Sequence, residues 1–317
     1  MINIAILGYG TVGSGVYEIV QKNKEIIKEN CGEKIEVKAI LDIRDFNGDP
    51  AEGLFVSDYS VILNDPDIAV IVEAIGGLEP AFNYTKAALE NGKNVVTSNK
   101  ELVATHGKQL REIAAANNVQ YLFEASVGGG IPLIHPLLYC LGANQITEIF
   151  GIFNGTTNYI LTKMEKDNES FDQALSAAQA QGYAESDPSA DVDGIDTCRK
   201  VAILASLAFK KDVACQDIPT EGIRSITSED ILEAKKNDQV IKLIGRAVLS
   251  DGKVNCEVKP LRISRRHPLA NVDDVFNAIM ITGDQVGEVM FYGRGAGKLP
   301  TASAILADVI NIAARGV

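Results

Sequence analysis

Residues 2–13 read Ile2-Asn3-Ile4-Ala5-Ile6-Leu7-Gly8-Tyr9-Gly10-Thr11-Val12-Gly13. The isoleucine-rich start predicts a buried strand, and the residues from 12 to 29 carry a helical pattern. Between them lies Gly-x-Gly-x-x-Gly, a motif that is weak alone but acquires meaning between a strand and a helix. Its glycines permit a tight turn and close backbone approach. The helix start then offers unpaired N–H groups and the positive end of its dipole to a pyrophosphate. Gly8, Gly10, Thr11, Val12 and Gly13 are therefore the first candidate contacts to a dinucleotide cofactor.

Working outward, short apolar runs at Ile35–Leu41, 69–73, Asn94–Thr97 and 120–124 alternate with helical patterns at 81–91 and 107–117. Strands separated by helix-length segments are the mark of βαβ crossovers and a parallel sheet. The second strand runs into Asp42 and Arg44. An acid there would hold the ribose 2′-hydroxyl of NAD, whereas an arginine would accept the 2′-phosphate of NADP. Alternation puts both side chains on one face, where they can also pair with each other. Beyond residue 130 the rhythm changes. Strands are expected at 146–153 and within 240–263, and helices near 157–167, 171–181, 190–210 and 228–236. An apolar helix over 301–314 closes the chain. The expected class is α/β, a Rossmann-type nucleotide domain with an α+β second domain.

The 317 residues are 46% hydrophobic and 23% charged, a globular composition sufficient for two domains. With 30 Lys and Arg against 42 Asp and Glu, the formal charge is 30 − 42 = −12. A surface of that sign repels nucleic acid and anionic lipid. No apolar run approaches the ~20 residues that span a bilayer. The chain starts directly on a strand, which reads as a cytoplasmic protein with no leader. The five cysteines are scattered without a Cys-x-x-Cys pair, and the three histidines form no His-Glu-x-x-His. Neither a disulfide framework nor a zinc site is expected.

A nicotinamide enzyme that reduces a carbonyl must protonate the nascent alkoxide. The sequence offers lysines and carboxylates for this work. Asp196 and Lys200 stand four apart at the start of a run, 201–209, that is almost wholly apolar. A helix apolar all round is buried, and a lysine there is partly desolvated. The same spacing also describes an ordinary i,i+4 ion pair worth ~0.2–0.5 kcal/mol. Lys100 follows the fourth strand, on the side where ligands of such sheets bind. Gly128-Gly129-Gly130 follows the fifth strand, and its backbone suits either a hard cation or an interdomain hinge. Gly293-Arg294-Gly295-Ala296-Gly297-Lys298 suggests a nucleotide P-loop but lacks the required Gly and Ser/Thr spacing. A semialdehyde dehydrogenase would need a nucleophilic cysteine in an activating setting; Cys198 stands beside Arg199, but no histidine is near it in the sequence.

As a set these motifs resemble the homoserine dehydrogenases. The resemblance covers nearly the whole chain. It rests on 8–13, Thr97-Ser98-Asn99-Lys100-Glu101-Leu102, 124–132, Asn154-Gly155-Thr156-Thr157-Asn158-Tyr159-Ile160-Leu161, Gly182-Tyr183-Ala184-Glu185-Ser186-Asp187-Pro188, 191–200 and 293–304. It implies reversible NAD(P)H-dependent reduction of L-aspartate 4-semialdehyde to L-homoserine, on the route to threonine and methionine. Lys200 then matches the proton donor and Asp196 its acidic partner. Glu185 and Asp191 match acids that bind the substrate, and Lys100 a lysine at the junction of substrate and cofactor. Thr97, Ser98 and Gly293 join the glycine loop as cofactor residues. Arg44 matches the arginine that receives the NADP 2′-phosphate, but Asp42 departs from that preference, so NADP and NAD both stand. Glu124 with the backbone of Val127, Gly129 and Ile131 matches a monovalent cation site, usually sodium.

The family fold also implies a nucleotide domain of 1–130 plus 290–317, completed by the tail. The substrate-binding and dimerisation domain, 131–289, is then an insertion, and a homodimer is expected. Neither an aspartokinase nor a C-terminal ACT domain is expected, so threonine should not inhibit through such a domain.

Overall fold

The computed structural model describes residues 1–316. The chain divides into two units, Met1–Pro132 joined by the segment from Ala296 onward, and Leu133–Gly295.

The first unit opens β1 (Ile2–Leu7), α1 (Thr11–Lys22), α2 (Lys24–Cys31) and β2 (Ile35–Leu41). It continues β3 (Phe55–Val56), α3 (Tyr59–Leu63), β4 (Ile68–Glu73), α4 (Ala81–Glu90) and β5 (Asn94–Thr97). The run ends with α5 (Lys100–Ala116), β6 (Tyr121–Leu122) and the short α6 (Ala125–Gly128). All six strands pair in parallel, in the order β3-β2-β1-β4-β5-β6. This is the doubly wound dinucleotide-binding order, whose direction reverses between β1 and β4.

Three boundaries differ from those expected, each for a local reason. The 12–29 helix breaks at Asn23, whose N–H bonds the Ile19 carbonyl before the chain turns into α2. Asparagine competes for backbone hydrogen bonds and favours such breaks. Helix α5 starts seven residues before the expected 107, because the Asn99 side chain accepts from Leu102 N at 3.1 Å and caps it. The last strand stops at Leu122 rather than 124. Glu124 already has helical dihedrals, and its N–H donates to Asp308 Oδ2 at 2.8 Å.

The second unit contains β7 (Ile146–Ile152), α7 (Gly155–Lys166), α8 (Phe171–Ala180), α9 (Ser189–Val192) and α10 (Ile195–Phe209). After α11 (Ser228–Lys236) come β8 (Gln239–Ser250), β9 (Lys253–Ser264), β10 (Phe276–Gly283) and β11 (Gly287–Arg294). The five strands form one antiparallel sheet, β11-β10-β7-β8-β9. The β10–β11 hairpin was not anticipated. The expected 190–210 helix is two helices, since Gly194 adopts φ 82° and ends α9 before α10 begins.

Helix α12 (Lys298–Arg315) returns the chain to the first unit. Its Ala302, Ile305 and Val309 share a buried cluster with Val16 and Val20 of α1 and with Ile4 and Ile6 of β1. That apolar stripe is what packs the tail helix against α1 and the first sheet.

Candidate active site

At the carboxyl end of the first sheet, the loop after β1 is packed too closely for side chains. A Cβ on Gly13 would lie 2.0 Å from the Gly8 carbonyl oxygen, and Gly8 itself has φ +91°. The chain therefore turns tightly and delivers α1 with Gly10 as its N-cap residue. Among the described residues no side chain caps this helix, so its first-turn amides face the loop.

Strand β2 ends one residue before Asp42, and Asp42 and Arg44 do pair. The guanidinium binds the carboxylate in two places, Nε to Oδ1 at 2.9 Å and Nη2 to Oδ2 at 2.8 Å. Asp42 also accepts from Tyr9 N at 2.7 Å and Arg44 N at 3.0 Å. The Arg44 guanidinium, foremost, holds the Asp42 carboxyl well below the usual range. That guanidinium lies over the Phe46 ring, 5.1 Å from its centroid, and its other side is open to solvent.

Thr97 is the last residue of β5, Ser98 follows it, and Lys100 opens α5 behind the Asn99 cap. Glu124 is buried beside α6. The turn that follows carries Val127, Gly129 (φ +57°) and Ile131, whose N–H bonds the Gly128 carbonyl at 2.9 Å. Burial pushes Asp308, the acceptor of the Glu124 amide, up to about 8. Among the described residues no group of three or more His, Cys, Asp or Glu side chains could hold a metal ion. Gly293 lies within β11 opposite Asn277, in the second unit.

In that second unit, α10 carries its ion pair into the interior. Lys200 Nζ sits 2.8 Å from Asp196 Oδ2 and donates to the Phe153 carbonyl at 2.8 Å. Lys200 is 6% exposed and Asp196 3%. Asn154 ties a second acid to this pair, since its Nδ2 donates to Asp191 Oδ1 at 2.6 Å and to Asp196 Oδ2 at 2.9 Å. The Asn154 Oδ1 meanwhile caps α7 by accepting from Thr157 N at 2.9 Å. Burial, and then the charge of Asp196, push the Asp191 carboxyl above its ordinary value. Asn277 on β10 also donates to the Phe153 carbonyl, at 2.8 Å.

The structure thus joins Lys200, Asp196 and Asp191 in one polar cluster. Glu185 lies exposed in the loop before α9, where its carbonyl accepts from Gln179 Nε2 at 3.1 Å. Asn154 was quoted from the sequence only as the start of a family motif, with no role, and Asn277 and the Phe153 carbonyl were not singled out. The Asn154-Gly155 start of α7 was the available signal, because asparagine is a strong N-cap. Cys198, two residues before Lys200, donates to the Cys215 carbonyl at 3.3 Å. A separate contact between the two thiol side chains lowers the Cys198 thiol and raises that of Cys215.

A doubly wound sheet with a glycine cradle, and a unit holding a buried lysine–carboxylate pair, define a dinucleotide-dependent oxidoreductase. The family model described as "Homoserine dehydrogenase" matches residues 132–310, and that described as "Homoserine dehydrogenase, NAD binding domain" matches 8–124. The chain belongs to the homoserine dehydrogenases and is an NAD(P)-dependent enzyme. The homoserine dehydrogenase of Synechocystis is 46% identical over 318 residues, covering 98% of this chain and 73% of that protein. A crystal structure of a homoserine dehydrogenase from Thiobacillus denitrificans superposes with a TM-score of 0.94 at 40% identity, covering 99% of this chain and 73% of that one. A hyperthermophilic archaeal homoserine dehydrogenase in complex with NADPH matches with a TM-score of 0.84 at 29% identity, covering 100% of this chain and 98% of that one. Among the described residues no helix is long and apolar enough to cross a membrane.

Proposed function

We propose that Lys200 is the proton donor in the interconversion of L-aspartate 4-semialdehyde and L-homoserine, with Asp196 as its orienting partner. The observation that carries this reading is the buried Lys200–Asp196 pair, 2.8 Å apart on α10 and shared with Asn154 and the Phe153 carbonyl. A fully desolvated pair costs more than its attraction returns unless it has other work. When bound, the reduced nicotinamide supplies a hydride to the aldehyde carbon. Lys200 then gives its proton to the oxygen as negative charge develops there, and in the reverse direction takes it back. Asp196 holds the ammonium in place and compensates its charge. Asp191 and Glu185 suit the substrate ammonium by charge, and Lys100 suits its carboxylate.

The glycine cradle and the uncapped start of α1 fit a pyrophosphate through Gly8, Gly10, Thr11, Val12 and Gly13. Thr97, Ser98 and Gly293 are assigned to the cofactor by the same family pattern. The solvent side of Arg44 suits a 2′-phosphate, and the NADPH bound by the archaeal relative favours that use. Asp42, which Arg44 engages in two places, is the acid that a ribose 2′-hydroxyl would meet, so NADPH and NADH both stand as cofactors. The buried carboxylate of Glu124 with the carbonyls of Val127, Gly129 and Ile131 is an all-oxygen set. Such a set fits a hard monovalent cation, with sodium the first choice. The second unit, whose edge strand exposes Met290 and Tyr292, is assigned to the homodimer contact. Dependence on a reduced nicotinamide pool supports a cytoplasmic location.

The test is an assay of the purified chain with homoserine and each oxidised cofactor in turn, following formation of reduced nicotinamide. Turnover that survives thiol alkylation but falls in Lys200→Ala is the expected result. Loss on alkylation with Lys200→Ala unaffected would transfer the chemistry to Cys198.

A further inference from the structure

We propose that Glu73 is a positioning residue that locks two loops into the shape that receives the nicotinamide half of the cofactor. The inference rests on the cofactor reading above. Glu73 ends β4 and stands opposite Leu7 of β1 and Thr97 of β5. It therefore sits at the reversal point of the strand order, where ligands of such sheets bind beyond the strand ends. The mononucleotide half built after that point is formed by the loops that follow β4 and β5.

Glu73 is fully buried, a location that costs a carboxylate several kcal/mol unless its oxygens are satisfied. The oxygens are satisfied almost wholly by those two loops. Ile75 N donates to Oε1 at 2.8 Å and Gly76 N at 3.4 Å, both from the loop after β4. Thr97 Oγ1 donates to Oε2 at 2.5 Å from the end of β5. The same hydroxyl accepts from Asn99 N at 2.9 Å, and Asn99 Nδ2 returns to the Gly77 carbonyl at 2.6 Å. Glu73, Thr97, Asn99 and Gly77 thus close a ring that ties one loop to the other. Asn99 is also the cap of α5, so the ring sets the position of Lys100, the first residue of that helix.

The other side of the ring is open. Gly76 and Gly77 have φ +85° and +70°, and a Cβ on either would meet no atom within 4 Å. Two left-handed glycines facing open space present bare backbone to an approaching ligand. All the donors point at the carboxylate, so the ring is made for the ionised form, while burial pushes the other way and raises the pKa of Glu73. A framework residue with no ligand to serve would fill this site better as an apolar side chain.

Glu73→Gln keeps the shape but turns an amide N–H toward groups that donate. Thr97→Val removes the hydroxyl at constant volume. The measurement is the NADPH dissociation constant, read from nicotinamide fluorescence, with kcat, the KM for NADPH and the melting temperature of the free protein. Each substitution should weaken NADPH about tenfold, the loss expected for one hydrogen bond to a charged group. The double substitution should be no weaker than the poorer single one, since both cut the same ring. The KM for NADPH should rise more than kcat falls. Lower melting temperatures with NADPH affinity within twofold of wild type would reduce Glu73 to a framework residue and overturn the proposal. So would losses that simply add. A wild-type chain that binds neither NADPH nor NADH would overturn the cofactor reading itself, and this proposal with it.

Discussion

Two ion pairs in this chain have the same length, 2.8 Å, and opposite surroundings. In Lys200–Asp196 both side chains are under a tenth exposed, whereas in Arg44–Asp42 the carboxylate is buried and the guanidinium is 57% exposed. The first pair is held from above by Asn154 and the Phe153 carbonyl, and the second lies on a loop over an aromatic ring. Distance alone therefore says little about what an ion pair is for. A buried ammonium has lost its water and keeps only the groups the protein gives it, so its proton is the thing of value. An exposed guanidinium keeps donors to spare, so a ligand phosphate can share it.

The sharpest way to break the comparison is to remove the buried cation. Lys200→Ala should lower kcat by about 10²- to 10⁴-fold, the range for losing a positioned general acid. NADPH affinity should stay within a few-fold. Leaving Asp196 buried and uncompensated also costs about 3–5 kcal/mol of stability. The double variant Asp196→Asn with Lys200→Met removes both charges and should recover much of that stability. Its turnover should stay lost, and a double variant that regained both would mark the pair as framework.

Asn154 comes next in size. Its amide bridges Asp191 and Asp196 while its carbonyl caps α7. Asn154→Ala should cost about 1 kcal/mol of stability through the cap. Kinetically it should lower kcat/KM for homoserine by about tenfold, because two buried acids lose a shared donor. Asn154→Asp keeps the capping oxygen and adds a third negative charge beside the other two. Buried between the two acids, that charge should lower the melting temperature below wild type even with the cap kept, and turnover should be slower than in Asn154→Ala. The reverse order of rates would remove Asn154 from the positioning of the acids.

The two regions also differ in how far the sequence announced them. The glycine cradle was legible because strand, turn and helix follow one another within a dozen residues, and each leaves a local mark. The Lys200–Asp196 spacing was equally visible, but as an i,i+4 pair it fitted a surface helix as well as a buried one. Asn154, 42 residues from Asp196, is a contact made only by folding, and no periodicity reports it. The β10–β11 hairpin was missed for a related reason. Its turn, Asp284-Gln285-Val286, lacks the Asn-Gly or Asp-Gly signal, and β11 alternates weakly because it is an edge strand. The resemblance to a known family named Lys200 and its partners, while the packing explains why a lysine there is dry.

Removing the exposed cation should do something quite different. Arg44→Ala should raise the KM for NADPH by about 10- to 100-fold, the loss of one or two charge-assisted hydrogen bonds. The KM for NADH should change less than threefold or improve, since Asp42 is released to meet a ribose hydroxyl. Both should appear with kcat nearly unchanged. Steady-state kinetics with the two cofactors side by side decide the matter. Equal effects on both would take Arg44 away from the 2′-position.

The smallest effect is on stability, and its sign can be worked out. Asp42 holds its proton less tightly in the folded chain than in the unfolded one, chiefly through the Arg44 hydrogen bonds. Its contribution is therefore present above the ordinary carboxylate pKa, ~3.9, and is lost as pH falls through that value towards the lower folded one. Without Arg44 the folded value moves back up, so wild type and Arg44→Ala should differ most near neutrality. Because the guanidinium is more than half exposed, solvent screens the pair, and the gap should stay below about 1 kcal/mol. Melting curves from neutral pH down through the carboxylate range should show the gap closing below pH ~4, and molar salt should shrink it at every pH. A gap that widens on acidification would mean that Arg44 stabilises this loop through the Phe46 ring it covers, with the Asp42 charge incidental.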